Sequence, residues 1–197
     1  MRRTIPQPRA GPAAVPAAGT RLERTMHRID RMTLAIDDAK FQQILDVTLG
    51  GQPITPPELC TLLQVIQLAA EVDLDEDPAE LTLLRSLTER LCTATGIALD
   101  RFPLLSPIPT DDEERAAQLA VLVPRLPTTG TRDLAFALAY LMIVADLELA
   151  PVEDALLHQL RRALTIPPER ASRLLTTIGR IVTPGADEAR PSATTVC

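Results

Sequence analysis

The stretch DLELAPVEDALLHQL, residues Asp146–Leu160, occurs twice in this chain in related form. The segment Asp73–Leu87, which lies 73 positions earlier, reads DLDEDPAELTLLRSL, and seven of the fifteen positions are identical. In each copy an apolar run comes first, an acidic turn follows it, and a Pro-x-Glu sequence begins a leucine-rich segment. Pro at the first position and Glu at the third are typical of a helix start. The duplication therefore predicts two helical hairpins with a repeated apolar core.

The composition favours helices over strands throughout the chain. Hydrophobic residues make up 46% of the 197 residues, but one Tyr, three Phe and no Trp leave Leu, Ile, Val and Ala to build the core. Such residues, repeated at helical spacing, are typical of packed helices. We expect an all-α fold of about seven helices, in which two pseudo-symmetric helical-hairpin halves pack as a bundle.

Capping signals predict where several of these helices begin. TPPE, residues 55–58, combines an N-cap threonine, two prolines and a capping glutamate. DPAE, residues 77–80, is a second capping box, with an N-cap aspartate, one proline and a capping glutamate. We interpret LPTTG, residues 126–130, as a loop before a helix that begins near Arg132. The helix boundaries are thus predicted from local chemistry alone.

The same patterns predict the extent of the folded domain. We expect a helical domain over residues 21–183, with its halves at about 38–96 and 110–182 and a proline-rich connector between them. Residues 1–20 contain Pro, Ala, Gly and Arg in no periodic order, so we expect them to be disordered. We expect the tail, residues 184–197, to be flexible.

Charge is distributed unevenly along the chain. The formal net charge is −6, but Met1–Arg31 contains seven Arg and two acids, so the remainder carries −11. An acidic body without interleaved aromatic residues argues against nucleic-acid binding. We therefore expect a protein partner and no nucleic acid.

No segment has the length of a membrane span. The longest apolar run, residues 134–145, has twelve residues, whereas a spanning helix needs about 20. We expect this run to form a helix that is buried on nearly every side. The N-terminal segment also lacks the continuous apolar region of a signal peptide, so a cytoplasmic protein that is not itself transmembrane is expected.

The sequence contains no catalytic motif. GxSxG, P-loop and GxGxxG patterns do not occur, and the two histidines lack the Glu-x-x-His spacing of di-metal bundles. His158 follows Asp154 by four residues and is interpreted as half of a surface pair. The three cysteines have no metal-ligand spacing and are interpreted as structural thiols. We expect a protein that is not an enzyme, and a metal-dependent hydrolase is the remaining enzymatic alternative.

Acidic residues are concentrated at the bends of the two hairpins. Two of them, Asp73 and Asp146, follow a predicted helix C-terminus, where the helix dipole disfavours an anion by about 0.3–1 kcal/mol. Carboxylates beside unpaired carbonyl oxygens are the hard ligands that Ca²⁺ and Mg²⁺ prefer. The alternative is that the glutamates only cap their helices and the aspartates are solvated. The first bend is the denser one, with six acids and no base in ten residues: Glu71, Asp73, Asp75, Glu76, Asp77 and Glu80.

The segment IVADLELAPVEDALLHQL, residues 143–160, resembles the TerB-like tellurite-resistance family, and AAEVDLDEDPAELTLLRSL, residues 69–87, is a weaker match. The resemblance covers about residues 38–182. It implies an internally duplicated all-helical module with a divalent-cation site, in bacterial proteins linked to tellurite or stress response and to membrane-associated partners. By motif position, the candidate metal ligands that the resemblance implies are Asp73, Asp75, Glu80, Asp146, Glu148 and Glu153. The chain has Leu74 and Leu147 where the family commonly has Gly.

These patterns lead to one functional hypothesis and one alternative. The hypothesis is a non-enzymatic module of the tellurite-resistance or stress type, which binds Ca²⁺ or Mg²⁺ weakly at its acidic bends and also binds a protein or membrane-proximal partner. The alternative is a purely structural or protein-interaction helical domain with no metal site.

Overall fold

Among the residues that it describes, a computed structural model of the chain has seven α-helices. It describes residues 36–72, 78–98, 109, 111–145 and 151–183, and no strand occurs among them. The all-α prediction is therefore confirmed. The helices are α1 (Asp38–Leu49), α2 (Pro56–Ala70), α3 (Pro78–Thr95), α4 (Asp112–Leu122), α5 (Thr129–Ile143), α6 (Pro151–Ala163) and α7 (Pro168–Val182), with a 3-10 turn at Val123–Arg125 after α4.

Local capping fixes both ends of α1 and the start of α2. Asp37 begins α1 by accepting a hydrogen bond from the Lys40 amide at 2.8 Å. Gly50 ends α1 in the left-handed region with φ 58°, a conformation that glycine adopts without steric cost. At the start of α2 the Glu58 carboxylate accepts the Thr55 amide at 2.8 Å, as the TPPE pattern predicts.

Helix α5 lies at the centre of the fold. It packs against α1, α2, α3, α6 and α7, and every residue from Asp133 to Ala139 is buried. A helix that is apolar on all sides must be enclosed by other elements, since it has no face to present to water. The prediction that residues 134–145 form a helix buried on nearly every side is thus confirmed for the helical part, which ends at Ile143.

The duplication in the sequence recurs in the helix boundaries. Helices α2 and α5 begin 73 positions apart and also end 73 positions apart. The starts of α3 and α6 differ by the same 73 positions, as do the ends of α1 and α4. Three consecutive helices therefore recur along the chain, while the packing of the two sets as pseudo-symmetric halves stays a prediction.

Helix α5 begins earlier than the sequence suggests. Its first residue is Thr129 rather than Arg132, because the Thr128 hydroxyl accepts the Thr131 amide at 3.1 Å and acts as the N-cap. The LPTTG segment was predicted to be a loop, but its last two residues belong to the helix. A threonine cap satisfies an N-terminal amide, so the helix can begin before its apolar run does.

The two described thiols lie on neighbouring helices. Cys60 of α2 is partly buried and Cys92 of α3 is buried, and both are free thiols. Burial raises the pKa of Cys92, and the charge of a Cys60 thiolate raises it further. Both effects favour the protonated thiol, in agreement with a structural role for these cysteines.

Several predictions fall outside the described residues. These are the disorder of residues 1–20, the flexibility of residues 184–197 and most of the proline-rich connector. Within the described ranges, no helix is both long enough and apolar enough to cross a membrane.

Candidate functional site

The acidic bends are only partly described. Glu80 and Glu153 are each the third residue of their helix, and they are 6% and 3% exposed. The other four predicted ligands, Asp73, Asp75, Asp146 and Glu148, lie outside the described residues. The structure therefore places two of the six candidate ligands and does not test whether the six come together.

Glu58 shows what a buried glutamate does at this position of a helix. It is also the third residue of a helix that begins with Pro, and it is 5% exposed. Its carboxylate accepts the Thr55 amide at 2.8 Å and the Thr55 hydroxyl at 2.6 Å. Capping thus accounts for burial of a carboxylate at a helix start, and the same role suits Glu80 and Glu153.

No metal centre is assembled from the described residues themselves. Within residues 36–72, 78–98, 111–145 and 151–183, no group of three or more His, Cys, Asp or Glu side chains is arranged to hold an ion. A cation site at the bends would consequently need the aspartates that lie outside these ranges.

A groove between α6 and α7 is a candidate site that the described residues form. Its volume is about 330 Å³, which is within the usual range of roughly 300–1,000 Å³ for ligand sites. Phe136 of α5, which is 2% exposed, also lines it. The groove is lined by Phe136, Asp154, Leu157, His158, Arg161, Pro168, Ala171, Ser172 and Leu175.

Each wall of the groove is one stripe of a helix. The α6 wall consists of residues 154, 157, 158 and 161, and the α7 wall consists of residues 168, 171, 172 and 175. Both sets have the spacing i, i+3, i+4, i+7, which places side chains on one helical face. Ala171 and Ser172 have the smallest side chains among the lining residues. Each stripe extends from residue i to residue i+7, and at 1.5 Å of rise per residue this corresponds to a wall about 10 Å long.

The two ends of the groove differ in charge. Residues 164–167 join the helices as a short turn, and Arg161 lies at the end beside this turn, where its Nη1 donates to the Ile166 carbonyl at 3.2 Å. Asp154 lies at the opposite end. His158 Nδ1 is 2.9 Å from the Asp154 carbonyl oxygen and 3.5 Å from its Oδ1, so the predicted surface pair is confirmed.

The hairpin of α6 and α7 carries excess positive charge. Among residues 151–183 only two exposed side chains are acidic, those of Asp154 and Glu169. Glu153, the third acid of this stretch, is buried. This stretch therefore carries more arginine than acid, in contrast to the acidic balance of the whole chain. The arginines of this stretch are Arg161, Arg162, Arg170, Arg173 and Arg180.

An ion pair between the buried Asp133 and the partly exposed Arg170 ties α7 to α5. The Asp133 side chain is 5% exposed and accepts hydrogen bonds from Arg170 Nε at 3.0 and 2.9 Å, and the Arg170 Nη2 also donates to it. These hydrogen bonds, and then the carboxylate charge, raise the pKa of Arg170 above its ordinary value. Arg170 directly precedes Ala171 in the groove wall, so the pair positions that wall.

The sequence did not predict the groove or the ion pair. Leu157 and Leu160 read as ordinary core residues, and Arg170 reads as part of a solvated arginine face. A signal was present, since Ala171 and Ser172 are small where a packed helix face usually carries larger side chains. Without knowledge of which helix faces α7, that signal indicates no site.

Comparisons of the chain with protein-family models, with curated proteins and with solved structures gave no match.

Proposed function

We propose that the chain is a non-enzymatic, TerB-like helical module that binds a protein partner in the groove between α6 and α7. The groove itself carries the proposal, because it combines an apolar floor with a polar rim. Leu157 is 8% exposed and Ala171 is 4% exposed, while His158 and Ser172 are exposed at the rim. Apolar contacts supply affinity at such a site, and the few polar groups supply orientation.

The side chains of the groove support binding better than catalysis. Asp154, His158 and Ser172 all line it, but the His158 ring is engaged with Asp154 of its own helix and both side chains are more than half exposed. A catalytic His-acid pair gains its strength from exclusion of water and from a buried, orienting carboxylate. The groove lacks a buried carboxylate at that position, so a serine hydrolase is not proposed.

Obstruction of the groove tests the proposal. Ser172→Trp places a large side chain in the groove, and Thr176→Trp places the same side chain one turn later on α7, at an exposed position that does not line it. We expect a display library of amphipathic helical peptides to yield binders of the native chain. Ser172→Trp should weaken these binders by at least about tenfold, which corresponds to about 1.4 kcal/mol.

The Thr176→Trp variant is the control for this experiment. It should bind the selected peptides as the native chain does, and the thermal midpoints of both variants should stay close to that of the native chain. Equal binding by native and Ser172→Trp chains would contradict the proposal, as would a library that yields no binder.

We also propose weak Ca²⁺ or Mg²⁺ binding at the acidic bends as a second function. The observation that favours it is the matched burial of Glu80 and Glu153, since each is preceded in the sequence by further acids of its bend. Buried carboxylates beside further carboxylates repel one another, and a divalent cation relieves that repulsion. Capping of α3 and α6 accounts for the same burial without an ion.

Thermal melting with added ions distinguishes these two explanations. We expect millimolar Ca²⁺ or Mg²⁺ to raise the midpoint, because an ion that binds only the native state stabilises it by mass action. The double variant Asp73→Asn/Asp146→Asn should lose this rise, and Glu113→Gln, which changes an exposed acid of α4, should keep it. A midpoint that no ion changes would leave capping as the role of the glutamates.

A further inference from the structure

We propose that the occupant of the groove is an acidic amphipathic helix of the partner, oriented parallel to α6. This inference rests on the proposed function and adds the chemistry and the direction of the bound segment. It follows from the shape of the groove, from its unequal ends and from the arginines at the end beside the turn.

The shape of the groove fits a helix of about two turns. The walls are two helical stripes that are each about 10 Å long, and two turns of an α-helix span roughly 11 Å. Between the walls, Ala171 and Ser172 provide depth, while Leu157 and Leu175 provide apolar contact. A helix that presents apolar side chains at i, i+3 or i+4, and i+7 matches this arrangement, as in other helix-in-groove complexes.

The unequal ends of the groove set the direction of the bound helix. A helix carries a partial positive charge at its N-terminus and a partial negative charge at its C-terminus. Asp154 lies at one end of the groove and Arg161 at the other, and both belong to α6. A bound helix that runs parallel to α6 places its N-terminus beside Asp154 and its C-terminus beside Arg161, so both ends meet the favourable charge.

The arginines at the end of the groove beside the turn select an acid in the bound segment. Arg161 lines the groove and the exposed Arg162 follows it on α6, whereas Arg173 and Arg180 do not line the groove. Arg170 is already paired with Asp133, so the selectivity is assigned to Arg161 and Arg162. An acid placed just after the last apolar anchor of the bound helix would reach Arg161. Complementary charge of this kind accelerates association and rejects basic competitors.

A charge series of peptides tests the inference. The probes are helical peptides of about 15 residues in an Ala/Gln host with leucines at i, i+3 and i+7. In three of the peptides, the two positions that follow the last leucine carry Glu, Gln or Lys. In the fourth peptide, the two Glu precede the first leucine instead. We expect the affinities to follow the order Glu, Gln, Lys, with about tenfold or more between the first and the last at low salt. The difference should shrink at high salt.

Variants of the chain assign the charge effect to the groove. Arg161→Gln should reduce the preference for Glu over Gln peptides, whereas Arg161→Lys should keep most of it and Arg85→Gln, on exposed α3 surface, should leave it unchanged. Arg161→Lys separates two effects of the Gln variant, because it alters the hydrogen bond to the Ile166 carbonyl but retains the positive charge.

Four outcomes would overturn the inference. If the Gln or Lys peptide binds as tightly as the Glu peptide, the acidic partner is wrong although groove binding stands. If the peptide with Glu before the first leucine binds better than the one with Glu after the last, the direction is wrong. If sedimentation shows a dimer that Ser172→Trp dissociates, the occupant is a second copy of this chain, and if no peptide binds, the proposed function fails as well.

Discussion

Leu138→Ala is expected to lower the free energy of unfolding by about 2–5 kcal/mol, the range found for leucine truncations in close-packed cores. Leu138 is fully buried at the middle of α5, the helix that packs against five others. Truncation leaves a cavity that neighbours on all sides would have to fill. Chemical denaturation, followed by circular dichroism, measures the change.

The matched control for this experiment is Leu81→Ala. Leu81 is a leucine of α3 with 53% exposure, so its truncation should change the stability by no more than about 0.5 kcal/mol. A loss of less than about 1 kcal/mol for Leu138→Ala would show that α5 is not the centre of the core.

Arg170→Leu is expected to have the second largest effect, a loss of about 1–3 kcal/mol, because it leaves the buried Asp133 carboxylate without its charged donor. The loss should be smaller than for a fully buried ion pair, since the Arg170 side chain is 44% exposed. Arg173→Leu, one turn later on the same helix and exposed, is the control and should change little.

The ion pair also has a defined pH dependence. Because Asp133 raises the pKa of Arg170, this contribution is fully present below the ordinary pKa of arginine and is lost only as the pH rises through the raised folded value. The effect of Arg170→Leu should therefore be constant around neutral pH. In the double variant Asp133→Leu/Arg170→Leu no unpaired charge remains buried at this site, so part of the stability should return. A double variant less stable than Arg170→Leu would contradict this account.

Much of the fold could be predicted from the sequence because its signals are local. Pro78 and Pro151 each begin a helix, and Glu58 caps another, since proline and a third-position glutamate suit a helix start whatever packs around it. The apolar run over residues 134–145 likewise predicts burial from composition alone. The start of α5 was missed by three residues, because a threonine cap is a weaker signal than a proline.

The candidate site could be predicted only in part because it depends on which helices face each other. Asp133 and Arg170 are 37 positions apart, and nothing in the spacing of either residue indicates the other. The groove likewise forms only where side chains of α5, α6 and α7 come together. Only two of the six candidate ligands in the bends, Glu80 and Glu153, are among the described residues. Cation binding at the bends therefore stays a prediction.

The most direct test of groove binding is amide chemical-shift mapping of the native chain as the Glu peptide is added. The account predicts that shifts are concentrated in the two groove walls, at residues such as Leu157, His158, Ala171 and Ser172. Shifts centred instead on the exposed apolar residues Val47 and Leu81, with the groove walls unchanged, would contradict it.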